Sequence, residues 1–132
     1  MAISKRKAWP NRQTQARAPI KYLTENGFSI VRLSEIDASV KHAPNDCRFL
    51  VQHDDRSERV IKVAFAETLI DTLRVKRRTP LSEASPFWIV CAESCLAQYL
   101  WEQNEFPPHD QLNVQELSPD ELVLALHWRD PH

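Results

Sequence analysis

Cys91 and Cys95 are four residues apart, a spacing that on a helix turns two thiols to the same side, where both could offer sulfur to a metal ion. The same spacing opposes a bond between them. Side chains at i and i+4 hold their Cβ atoms about 5 to 6 Å apart, and a disulfide needs about 3.5 to 4.5 Å. Two donors do not complete a metal site, so neither a metal nor any other cofactor is expected. Cys47, with His42 and His53 on either side and Asp54 beyond, has the residue types of a thiol nucleophile, an imidazole that activates it and an acid that orients the ring. Nearness in sequence does not fix that geometry, and a buried cysteine serving as a small hydrophobe is the plainer reading. His109-Asp110 follows two prolines and lacks the further ligands that a metal phosphohydrolase needs. Glu93 stands among Ile89, Leu96, Ala97 and Leu100, and a salt bridge to Arg48, Arg59 or Lys62 is expected there rather than a general acid. No constellation meets the requirements of catalysis, so no enzyme is expected. The single glycine, Gly27, agrees: phosphate-cradling loops and nucleophile elbows need several glycines at fixed offsets.

Charge is the second source of candidate chemistry. The net charge of −1 conceals a polarised chain. Lys5, Arg6, Lys7, Arg12, Arg17 and Lys21 all precede the first acid, Glu25. Glu102, Glu105, Asp110, Glu116, Asp120 and Glu121 follow one another without an intervening Lys or Arg. The basic arm could neutralise phosphates while Trp9 stacks on a base, with Arg74, Lys76, Arg77 and Arg78 extending the patch. Such contact would be sequence-nonspecific and salt-sensitive. The same polarity equally allows the arm to meet an acidic protein surface, including the acidic part of this chain or of a second copy.

The elements that would position these groups follow from periodicity. Residues 1–17 carry no apolar pattern and are expected to be a flexible basic tail, leaving 18–132 as a single α+β domain. Residues 19–26 read as a short helix with Ile20 and Leu23 inward, ended by Gly27, and 28–33 as a strand. Residues 48–53 and 59–65 alternate as two strands of a hairpin, with Phe49, Val51, Ile61, Val63 and Phe65 on the inner face. Ala66, Leu69, Ile70 and Leu73 form a helical stripe. Ser85-Pro86 opens a central helix to about residue 104, Leu112 and Val114 mark a short strand, and Ser118-Pro119-Asp120-Glu121 is a capping box for a last helix. The expected architecture is a small antiparallel sheet with a central hairpin, packed by about three helices.

Over about fifteen residues, Gly27-Phe28-Ser29 with Leu33, Ser34 and Ile36 resembles a helix-turn-helix. Leu23 and the Ile30-Val31 pair depart from that pattern, since base readout in the major groove wants Arg, Lys, Asn or Gln. The central helix is apolar on nearly every side and needs more cover than one sheet and two helices supply. Trp88, Tyr99, Trp101 and Trp128 are therefore expected at a protein interface, in a homodimer or with another protein. The expected function is that of a small non-catalytic interaction or regulatory protein, with nucleic-acid binding through the arm as the alternative. Three cysteines make no disulfide framework, and no apolar run follows the basic start, so a cytoplasmic setting without membrane contact is expected.

Overall fold

The computed structural model describes residues 20–130. Its sheet has five strands, β1 (Lys21–Leu23), β2 (Phe28–Arg32), β3 (Cys47–His53), β4 (Glu58–Phe65) and β5 (Gln111–Val114), adjacent in that order. The helices are α1 (Leu33–Ile36), α2 (Glu67–Lys76), α3 (Pro86–Gln103) and α4 (Pro119–His127), with a 3-10 turn at Pro108–Asp110. The α+β class is as expected. The sheet is antiparallel through its first four strands, whereas β5 runs parallel to β4. A parallel neighbour needs a crossover connection, which α2 and α3 supply.

Alternation decides the β3–β4 hairpin. Phe49 lies opposite Ile61 and Cys47 opposite Val63, and these four side chains are wholly buried, as are Val51 and Phe65 to within a few per cent. The hairpin turn stores a left-handed residue at Arg56 (φ 72°), and Asp55 accepts hydrogen bonds from the Ser57 amide and hydroxyl.

The expected helix at 19–26 is instead strand β1 and a turn. Tyr22 pairs with Ile30 and Leu23 with Ser29. Here β2 offers a ready hydrogen-bonding ladder, and Gly27 closes the turn between the two strands rather than ending a helix. The turn is closed by Thr24, whose hydroxyl accepts from the Phe28 amide at 3.0 Å, and by Gly27 at φ 96°, a conformation that a side chain strongly disfavours.

Helix α3 crosses the inner face of the sheet and buries Phe87, Trp88, Cys91, Ala92, Leu96 and Leu100 against it. Ser85 caps its start by accepting from the Phe87 amide at 3.2 Å, and Asn104 ends it in the left-handed conformation. Arg32 at the end of β2 grips Glu93 with two hydrogen bonds of 3.1 Å. The salt-bridged role expected for Glu93 is present with a different partner, because Arg48 is engaged by Asp46 and Arg59 by Asp110. Helix α4 opens with the expected Ser118–Glu121 capping box, worth about 1 kcal/mol for the serine alone. It packs beside α3, where Trp128 meets Phe87 at 5.7 Å between ring centroids. Among the described residues no helix is long and apolar enough to cross a membrane.

Candidate functional site

β1 lies at one edge of the sheet, and among the described residues no strand pairs with its outer side. Directly opposite residues of an antiparallel pair share a face, so Tyr22 points to the side on which Ile30 meets α3. The turn after β1 is pinned to the end of α3: the Asn26 side-chain amide donates to the Leu100 carbonyl at 2.9 Å and to Asn104 Oδ1 at 3.0 Å. Between the edge strand and the last turns of α3 runs a groove of about 450 Å³, lined by Tyr22, Leu23, Ala97, Gln98 and Trp101 and flanked by Glu25 and Glu102. Leu23 (69%), Trp101 (52%) and Tyr22 (46%) are the exposed large apolar side chains that line it, and Ile20 (72%) is exposed just before β1. Exposed apolar area beside an unpaired edge is the arrangement that sheet proteins otherwise avoid.

The expected interface residues separate. Trp101 is exposed, Tyr99 is half-buried, and Trp128 is half-buried with its indole N–H donating to Asp130 at 2.9 Å. Trp88 is a correction: it is 2% exposed, packs on Phe65 and donates to the Ser82 carbonyl at 2.9 Å, so it belongs to the core and not to an outer surface. The residues missed are Ile20 and Leu23, which a helix at 19–26 turns inward, and Tyr22, which that reading leaves without a role. An exposed edge strand gave no periodic signal over three residues.

Among the cations, Arg74, Lys76 and Arg78 are exposed around the end of α2, with Arg74 paired to Asp71 at 3.0 Å. Arg77 is tied down, donating to the Ala125 and Thr79 carbonyls. Lys5, Arg6, Lys7, Trp9, Arg12 and Arg17 lie outside the described residues.

The thiol–imidazole pair does not assemble on Cys47. Cys47 opens β3 and His53 closes it, which separates them by about 20 Å at some 3.3 Å per residue. The Cys47 thiol donates to the Ala43 carbonyl, and burial first, then the negative charge of Asp46 and the neighbouring Cys91, push it up to about 12. His42 is held by the Ser85 carbonyl at 3.0 Å. His53 instead packs at a tilt against Phe28, 4.4 Å between ring centroids, at the wall of a second cavity of about 520 Å³ that also touches Gly27, Asp54 and Arg56.

Cys91 and Cys95 face the same side of α3, as their spacing requires, and the fold adds a third donor that the sequence reading did not identify. Glu121, in the first turn of α4, accepts from the Cys95 thiol at 3.3 Å. The two sulfurs and a carboxylate oxygen lie within 4.8 Å of one another. The hydrogen bond with Cys91, then burial and the Glu121 charge, raise the Cys95 thiol well above its ordinary range.

Compared with protein-family models, curated proteins and solved structures, the chain matches none.

Proposed function

We propose that this chain is a non-catalytic interaction module that pairs with a second copy of itself through the β1 edge and the groove beneath it. One observation carries the reading: four of the nine exposed large apolar residues, Ile20, Tyr22, Leu23 and Trp101, lie on or beside a sheet edge that no described strand covers. Antiparallel pairing of β1 with β1 of a second copy is a two-fold relation, which makes the patch self-complementary. It would satisfy the edge's backbone groups and bring Tyr22 and Trp101 of both copies under cover. Charge supports the same occupant, because Lys5, Arg6, Lys7, Arg12 and Arg17 precede β1 in the sequence and the groove is flanked by Glu25 and Glu102. The arm of one copy thus has acidic groups to meet on the other. Free thiols throughout suit a reducing cytoplasm.

The exposed Arg74, Lys76 and Arg78 favour a second reading, nucleic-acid contact shared with the arm. Light scattering on the full chain and on a chain lacking residues 1–17, with and without mixed-sequence DNA and RNA at low and high salt, separates the two. A dimer that survives deletion and ignores nucleic acid supports self-pairing. A monomer that joins nucleic acid only at low salt and only with the arm overturns it in favour of the second reading, and a chain monomeric under every condition overturns self-pairing outright.

A further inference from the structure

The seam between α3 and α4 joins two sulfurs and a carboxylate from opposite sides. Cys91 and Cys95 stand one turn apart on α3, and Glu121 comes across from α4. We infer that this seam is a binding site for a thiophilic divalent cation of the zinc class, held by Cys91 Sγ, Cys95 Sγ and the Glu121 carboxylate.

Four observations bear on it. The three donor atoms already lie within 4.8 Å of one another, and a tetrahedral zinc with bonds of about 2.3 Å to sulfur and 2.0 to 2.2 Å to oxygen draws its ligands to within about 4 Å. Closure therefore needs side-chain movement of an ångström or so, with no change in either helix. The donor set selects the metal: two sulfurs and one oxygen suit zinc and its softer relatives, while magnesium and calcium want oxygen alone.

The carboxylate is held for the task. Glu121 Oε1 accepts from the Ser118 amide at 2.9 Å in the capping box, which fixes the group and leaves Oε2 turned to Cys95. Outer partners of this kind orient metal ligands. Access is graded as well, with Cys91 buried and Cys95 and Glu121 half-buried, so the cation can enter from solvent and keep one water as a fourth ligand. On binding, the two S–H protons leave to solvent and two metal–sulfur bonds form; no electrons move. The cation supplies the positive charge that two thiolates, one buried and one half-buried, require beside a carboxylate.

Untagged, reduced full-length protein is titrated with Zn²⁺ in competition with a chromophoric chelator, and separately with Cd²⁺ while thiolate-to-metal charge-transfer absorption is followed. One equivalent of Zn²⁺ is expected to bind, and Cd²⁺ to produce the charge-transfer band at the same stoichiometry. Cys95→Ser is expected to lose at least half of that band. Glu121→Gln keeps a side-chain oxygen for the capping box and removes the charge, so it should keep the band and weaken Zn²⁺ binding by roughly tenfold or more, the least that even an outer partner contributes. Wild-type protein without a charge-transfer band overturns the inference, as does Zn²⁺ affinity unchanged in both variants. The wild-type and Glu121→Gln results stand whether or not Cys95→Ser folds.

Discussion

Replacing Trp101 by Ala is the sharpest probe of the self-pairing surface. A tryptophan offers up to about 250 Å² for burial, and Trp101 is 52% exposed, so pairing can remove about 130 Å² from water on each copy. At about 25 cal/mol per Å² this is near 3 kcal/mol per copy, and two-fold symmetry deletes it twice. Incomplete cover and ordering costs reduce the yield, which places the expected weakening of dimerisation at roughly a hundred- to ten-thousandfold. Leu23→Lys is the companion variant. At 69% exposure it contributes little to the monomer's core, and a lysine on a sheet edge opposes edge-to-edge pairing. Sedimentation velocity over a concentration series measures both, with far-ultraviolet circular dichroism confirming that each variant folds. Dissociation constants within about threefold of the parent in both variants would refute the reasoning, since a change that small is under 1 kcal/mol.

Gly27→Ala is expected to destabilise by about 1 to 2 kcal/mol in a urea titration, chiefly through the backbone at φ 96°. A Cβ there would also meet the Asp54 carboxyl, but Asp54 is exposed and free to turn aside, so Asp54→Ala should restore only a minor part, and full restoration would show that the steric contact dominates. Asp37 and Asp55 have pKa values lowered from 3.8 by hydrogen bonds from Ser39 and Ser57 respectively. Their contribution is present above the unfolded value and disappears as pH falls through the folded ones, so Asp37→Asn with Asp55→Asn should flatten the loss of stability below about pH 4, read by thermal melts across that range. Cys47, raised to about 12, is expected to resist alkylation in native protein at pH 8 and to react on denaturation, as peptide mass spectrometry would record. With the folded pKa above the unfolded one, its contribution is complete below about 9 and fades as pH rises toward 12.

Local order was readable wherever a pattern repeated. The hairpin faces, the Ser85-Pro86 start of α3 and the Ser118–Glu121 box each depend on residues a few positions apart, and each appears where expected. β1 was missed because three residues carry no period, and its stability comes from β2. The direction of β5 depends on how α2 and α3 cross the sheet, which no local pattern encodes. Trp88 and Trp101 look alike in a helix apolar on nearly every side; only the position of the sheet assigns one to the core and the other to the surface. The same holds for Glu121 and Arg32, which meet Cys95 and Glu93 through packing between elements far apart in the chain.

The crossover that makes β5 parallel also orders events during synthesis. The ribosome releases β1 to β4 first, and that meander can pair through short turns as it emerges. Its inner face, with Phe49, Val51, Ile61 and Val63, then waits for Phe87 to Leu100 to arrive, and β5 can seat only later, when Gln111 comes opposite Lys62. A chain ending near residue 80 would thus lack the apolar cover that Phe87 to Leu100 lay over the inner face of the sheet.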